Sequence, residues 1–148
     1  MLAQPLLSQA NRRAALTRMK SHWIILIATP EPSIKQQILD WLSAQGYRTA
    51  AVEWGGDALL AVAEDNVRLV IMDLSLQEPS GAKTVEILRK IRPRLPVIVL
   101  SGDHSIETGR QVLQHGVFYY LLKPLDLKEL DQVVRTALAH GKRFTGHR

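Results

Sequence analysis

The chain contains no cysteine. It therefore has neither a disulfide framework nor a thiolate metal site. Long apolar runs are missing as well. Near the N-terminus only the six residues Trp23 to Ala28 form an apolar stretch. A membrane span needs roughly 20 such residues, and the core of a secretory signal roughly 7–15. The same shortage argues against reading Arg12-Arg13 as a twin-arginine signal. A soluble cytoplasmic protein is the expectation. Phosphate-binding glycine loops are absent too: no G-x-G-x-x-G follows the first apolar run, and no G-x-x-x-x-G-K-[ST] occurs anywhere. No G-x-S-x-G elbow supports a hydrolase. His22, His104, His115, His140 and His147 show no metal-ligand spacing with one another. No enzyme class is indicated.

Acidic residues are absent from both ends. Residues 1–22 carry Arg12, Arg13, Arg18 and Lys20, and residues 141–148 carry Lys142, Arg143 and Arg148, with no carboxylate in either stretch. Taking these +7 charges from the overall +5 leaves −2 for residues 23–140. The basic character thus belongs to an N-terminal extension (1–22) and a C-terminal tail (141–148), and not to the domain between them. Nucleic acid is not the expected partner, because its usual footprint is a basic face on a folded element. Met19, just ahead of the first apolar run, is an alternative start of translation.

What the chain does have is alternation. At 148 residues, 46% of them hydrophobic, it suits one globular domain with a proper core. Short apolar runs at 23–28, 69–73, 97–100 and 118–122 read as strands buried on both faces, with a weaker one at 47–52. Between them, apolar residues recur at helical spacing. Ile34, Ile38, Leu39 and Leu42 mark a helix over 33–45 ending at Gly46. Ala58, Leu59 and Val62 mark a second after Gly55-Gly56. Val85, Leu88 and Ile91 mark a third that stops before Pro93. Ile106, Val112 and Leu113 mark a fourth closed at Gly116. Leu127, Leu130, Val134 and Leu138 mark a fifth that ends at Gly141. Five βα units with short loops predict an α/β fold: a single doubly wound parallel sheet with helices on both faces.

Four runs end on residues with chemistry: Thr29-Pro30, Asp73, Ser101 and Lys123-Pro124. In an open parallel sheet ligands sit beyond the carboxyl ends of the strands, where strand order reverses. An acid, a hydroxyl and an amine are therefore expected to meet at one edge. Strand-end positions also suggest that the Asp73 carboxylate has left the packed sheet.

Asp73, Ser101 and Lys123-Pro124 at the ends of strands three, four and five resemble the receiver domain of bacterial response regulators. Supporting pieces occur in the same order over residues 24–139. They are Ile25-Leu26-Ile27-Ala28, Gly46-Tyr47, Gly55 with Ala58-Leu59, the run Leu69 to Leu76, Gly81 eight residues past the acid, Leu100-Ser101-Gly102, and Gly116 to Pro124. The resemblance implies a (βα)5 flavodoxin-like sheet of order 2-1-3-4-5. It implies that Asp73 is the phosphoacceptor in a two-component phosphorelay. Ser101 and Lys123 would bind the phosphate, Lys123 as a compact cation, and Tyr120 would report the state by turning inward. A cis Lys123-Pro124 bond is also implied.

The departure lies at strand one. Receivers place two acids there, which hold Mg²⁺ with the strand-three acid; here the aligned residues are Thr29 and Pro30. Mg²⁺ demands oxygen ligands in near-octahedral geometry, so the metal is put in question. Asp73 and Glu31 are the nearest acids for it, with Asp103 and Glu78 on neighbouring loops. Two functions stay open: a phosphorelay receiver that signals by protein contact, phosphorylated or not, and a constitutive pseudo-receiver that never accepts phosphate. A small phosphotransferase or nucleotide binder on the same fold is the third, disfavoured by the missing glycine loops. The implied partners are a histidine kinase or phosphotransfer protein at the site. An effector, or a second copy, would dock on the helix 4–strand 5–helix 5 face, about 106–140. Trp54 is expected to stand partly exposed after strand two.

Overall fold

The computed structural model describes residues 23–64 and 66–147, with residues 141–147 described by their backbone. The elements follow in strict alternation. They are β1 (Ile24–Ala28), α1 (Pro32–Ala44), β2 (Thr49–Val52), α2 (Gly55–Val62), β3 (Val67–Asp73), α3 (Gly81–Ile91), β4 (Val97–Ser101), α4 (Ile106–Leu113), β5 (Tyr119–Leu122) and α5 (Leu127–His147). The strands form one sheet of order β2-β1-β3-β4-β5, and every neighbouring pair is parallel. The basic extension expected over residues 1–22 and the final Arg148 lie outside the described residues.

Side chains alternate between the two faces of a strand, and the core divides accordingly. Ile25, Ile27, Leu69, Ile71, Ile98 and Leu100 pack against α1 and α5. Leu26, Val70, Met72, Val97 and Val99 pack on the other face, against α2, α3 and α4. The central strand β3 is buried at six of its seven positions, as a run with helices on both sides must be.

Local chemistry sets the boundaries. Pro32 opens α1, where its missing N–H is not needed. Ser80 and Ser105 cap α3 and α4, their hydroxyls accepting from Lys83 N and Thr108 N. Gly46 and Gly116 follow α1 and α4 at φ +89° and +76°, the left-handed turn that favours glycine. Gly81 is required for another reason. A Cβ there would stand 2.3 Å from the carbonyl oxygen of Leu74, so α3 starts directly against the end of β3.

One expectation needs correction. Gly141 does not end the fifth helix, which continues to His147. Glycine costs a helix interior only about 1 kcal/mol and keeps its N–H, and no proline follows to stop the turn. In α4 only Val112 is buried; Ile106 and Leu113 face solvent. Their spacing is helical, but the helix offers the sheet a single anchor.

Two arginines knit the far edge, where the strands begin. Arg92 donates to the carbonyls of Val62, Glu64 and Val67, each at 3.2 Å. Arg89 donates to the carbonyls of Gly116, Arg92 and Leu95. Burial lowers the Arg89 pKa from its ordinary value, as desolvation of a cation requires.

Candidate functional site

The strand order brings the ends of β1, β3, β4 and β5 side by side, with the reversal of order between β1 and β3. Thr29 follows β1, Asp73 ends β3, Ser101 ends β4 and Lys123 follows β5. Asp73 has not left the packed sheet: it pairs in register with Leu100 and is fully buried.

A buried carboxylate must be fully hydrogen-bonded, and Asp73 is. Its Oδ1 accepts from Ser75 N (3.0 Å), Ser75 Oγ (2.8 Å) and Lys123 Nζ (3.0 Å). Its Oδ2 accepts from Thr29 Oγ1 (2.7 Å) and Lys123 Nζ (2.9 Å). Thr29 Oγ1 in turn accepts from Glu31 N (3.1 Å), which fixes the direction of its own donation. Lys123 Nζ sends a further bond to Glu31 Oε2 at 2.7 Å. One ammonium therefore lies between two carboxylates.

Burial works against the charge on Asp73. The Ser75 amide, Lys123, Thr29 and the Ser75 hydroxyl outweigh it and hold the carboxyl below the usual range. Burial likewise works against Lys123. Its hydrogen bonds to Glu31 and Asp73 and their charges win, so its pKa is raised. Both partners are therefore ionised at neutral pH.

Ser101 and Tyr120 stand one loop away. Ser101 is buried, and its Oγ accepts from Asp103 N (3.0 Å). The half-buried Tyr120 donates its hydroxyl to the Asp103 carbonyl (3.1 Å), and its ring lies against Gly109. Both report on the Asp103 backbone and neither bonds Asp73. His104 Nε2–H donates to the Lys123 carbonyl (2.8 Å). The Lys123-Pro124 bond is cis, as the resemblance implies; Glu78-Pro79 is cis as well.

Receiver domains hold Mg²⁺ beside the strand-three acid, and the donor set here does not fit that ion. Asp103 turns its carboxylate toward the start of α4, accepting from Ser105 N (2.9 Å) and Thr108 Oγ1 (2.6 Å). These bonds lower its pKa. The Glu78 carbonyl accepts from Gly56 N on α2, and its side chain joins no bond at Asp73. Glu31 and Asp73 do converge, but on Lys123 Nζ, with Thr29 donating where an acid would ligate. Among the described residues no three acids or histidines group to hold a metal. The lysine serves as the cation of this site.

Two contributors were not anticipated from the sequence. Ser75 supplies two of the bonds to Asp73; the signal was the Asp-x-Ser spacing, which favours a side-chain to backbone bond two residues on. Thr29 read only as a missing acid. Its partner lies 44 positions away and becomes visible only with the strand order.

The model for the response regulator receiver domain matches residues 25–135. The transcriptional regulatory protein ZraR of Salmonella typhimurium is 34% identical over 101 residues, covering 68% of this chain and 23% of that protein. The regulatory protein AtoC of Escherichia coli is 32% identical over 114 residues, 77% of this chain and 25% of AtoC. The chain thus spans about a quarter of the length of the curated relatives it matches. Among solved structures, the signal receiver domain of an HD domain-containing protein from Pseudomonas fluorescens Pf-5 superposes with a TM-score of 0.80. It is 26% identical and covers 86% of this chain and 94% of that one. The receiver domain of NtrX from Brucella abortus gives 0.73 at 30% identity, covering 78% and 98%. With the (βα)5 sheet, the acid ending β3, the hydroxyl ending β4 and the lysine before a cis proline after β5, this places the chain in the response regulator receiver domain family.

Proposed function

We propose that the chain is a cytoplasmic two-component signalling module that acts by protein–protein contact, with Asp73 in the phosphoacceptor position and its state set without Mg²⁺-assisted phosphorylation. One observation carries this reading: Lys123 Nζ lies within 3.0 Å of both Asp73 oxygens and 2.7 Å from Glu31. Phosphoryl transfer to a carboxylate needs its charge and that of the incoming oxygens neutralised by a metal clamp. Thr29 and Pro30 supply no ligand charge for one. The ion pair instead neutralises Asp73 permanently and draws Lys123 inward, as a phosphate on Asp73 would.

The partner at the site is a histidine kinase or phosphotransfer protein by family. The effector face is α4–β5–α5. Ile106, Leu113, Tyr119 and Leu122 are exposed there, Ile106 at 79%. Apolar side chains gathered on one face of a small domain favour a protein partner, an effector or a second copy.

The test is intact mass after incubation with a small phosphodonor, with and without Mg²⁺, beside Asp73→Asn. No adduct under either condition is expected. One added phosphate that requires both Mg²⁺ and Asp73 would overturn the metal-independent reading and make the site a working phosphoacceptor.

A further inference from the structure

We infer that the edge of the sheet where the strands begin is a binding surface for the phosphate backbone of nucleic acid. This surface lies opposite Asp73 and is independent of the state of that site. In a parallel sheet all strand starts share one edge. Here that edge gathers Arg48, Arg68 and the run Arg89, Lys90, Arg92 and Arg94, from three separate stretches of chain. Lys90 pairs with Glu86 at 3.9 Å, and Glu64, with Asp65 beside it in the sequence, lies between α2 and β3. Four of the six lie within residues 89–94 of the sequence, and the fold brings Arg48 and Arg68 to the same edge.

Both basic ends of the chain join at this same edge. Residues 1–22, with a charge of +4, lead into Trp23, just ahead of β1. The last turns of α5 return to it: the His140 ring lies 5.5 Å from that of Phe118, which precedes β5. Lys142, Arg143 and Arg148 follow directly.

The kind of cation points to phosphate. Five of the six at this edge are arginines, whereas the cations in the opposite loops and first helical turns are Lys35, Lys83, Lys123 and Lys128. A guanidinium is a planar fork that matches a phosphate in two bonds; an ammonium is a point charge. Arg89 and Arg92 already spend guanidinium N–H groups on backbone carbonyls and add charge to this edge, not a free fork. Arg68 lies 5.8 Å from the centre of the Trp23 ring. Arg48 and Arg94 are exposed, and their side chains make no hydrogen bond or ion pair among the described residues. Arg68, Arg92 and Arg94 rim a cleft of about 240 Å³ floored by Pro93, Pro96 and Leu138. A lipid surface would call for a broad apolar face beside the charge. Of the exposed large hydrophobic residues among those described, Ile91 ends α3, Leu113 ends α4 and Tyr119 opens β5 on this side of the sheet, one from each of three elements.

The experiment is fluorescence anisotropy of a labelled DNA duplex of arbitrary sequence with the full chain, titrated across about 50–200 mM salt. Phosphate contacts make log K fall with log salt by about 0.9 per contact. Arg48→Glu/Arg94→Glu is expected to flatten that slope by roughly two and to weaken binding at least about tenfold at 50 mM salt. Lys83→Glu/Lys128→Glu changes net charge equally at the opposite pole and is expected to bind within about twofold of wild type. Asp73→Asn is expected to bind as wild type does, which separates this surface from the fate of the phosphoacceptor reading. No binding at about 50 mM salt would overturn the proposal. So would equal losses in the two double variants, or preference for anionic lipid vesicles over the duplex.

Discussion

Lys123→Met is the perturbation that most directly tests the account of the site. Asp73 has no accessible surface, and Lys123 is the cation in contact with it among the described residues. Removing one partner of a buried pair costs about 3–5 kcal/mol, because the other charge is left uncompensated. Asp73 would keep the Ser75 amide, the Ser75 hydroxyl and the Thr29 hydroxyl, which places the loss near the lower figure, about 3 kcal/mol. At roughly 3–4 °C per kcal/mol for a domain of this size, Tm falls by about 10 °C at pH 7. The pH dependence gives the sharper check. In the wild type the Asp73 pKa is lowered. Its contribution is present above the ordinary carboxylate range and is lost as pH falls through the folded value. In the variant burial dominates, so the folded pKa rises above the unfolded one. The penalty is then present at neutral pH and vanishes as the carboxyl takes up a proton. The Tm gap, followed by circular dichroism from pH 7 to pH 4, must therefore narrow. On the alkaline side the raised Lys123 pKa means the wild type keeps its ion pair past the ordinary lysine range and loses it above the folded value. A gap below about 1 kcal/mol at pH 7, or one constant with pH, would refute the reasoning.

Two further substitutions probe the neighbours of Asp73. Thr29→Val keeps the shape and removes the donor at 2.7 Å from Asp73 Oδ2; hydrogen bonds to charged groups are worth about 1.5–3 kcal/mol. The urea midpoint should fall accordingly, with an unchanged m-value, and an unchanged midpoint would show that the hydroxyl is not bonded. Gly81→Ala would put a methyl 2.3 Å from the Leu74 carbonyl, and overpacking of this kind costs about 1–3 kcal/mol. Equal thermal stability of that variant would mean that α3 shifts freely away from the β3 end.

The reading from sequence succeeded where one residue carried its own signal. Asp73 and Lys123 each end an apolar run, and their pairing in the folded protein follows from strand ends sharing an edge. The spacing of Val85, Leu88 and Ile91 marked α3 because a helix that packs on a sheet has one apolar stripe. What stayed hidden depended on partners distant in sequence. The role of Thr29 needed β1 and β3 to be neighbours. The burial of Asp73 needed β3 to sit at the centre of the sheet, paired in register with β4. Joining Arg48 and Arg68 to the run Arg89 to Arg94 needed the starts of β2, β3 and β4 to share one edge. Helix ends failed in a different way: Gly141 weakens a helix without stopping it, and periodicity cannot tell the two apart.

Helix α4 has a kinetic consequence. Eight residues are too few to hold a helix by themselves, and this one is fastened by the buried side chain of Val112 and the Ser105 cap. Burying one valine is worth about 1.5–3 kcal/mol, well under the 5–15 kcal/mol that typically opens a whole domain. The amides of α4 should therefore exchange with solvent through a private opening, while those of β3 wait for global unfolding. Such an opening loosens the Asp103 loop, and with it the anchors of both the Ser101 and Tyr120 hydroxyls. The face that carries Ile106 and Leu113 is thus inexpensive to reshape, and whatever settles on it selects among conformations the chain already visits.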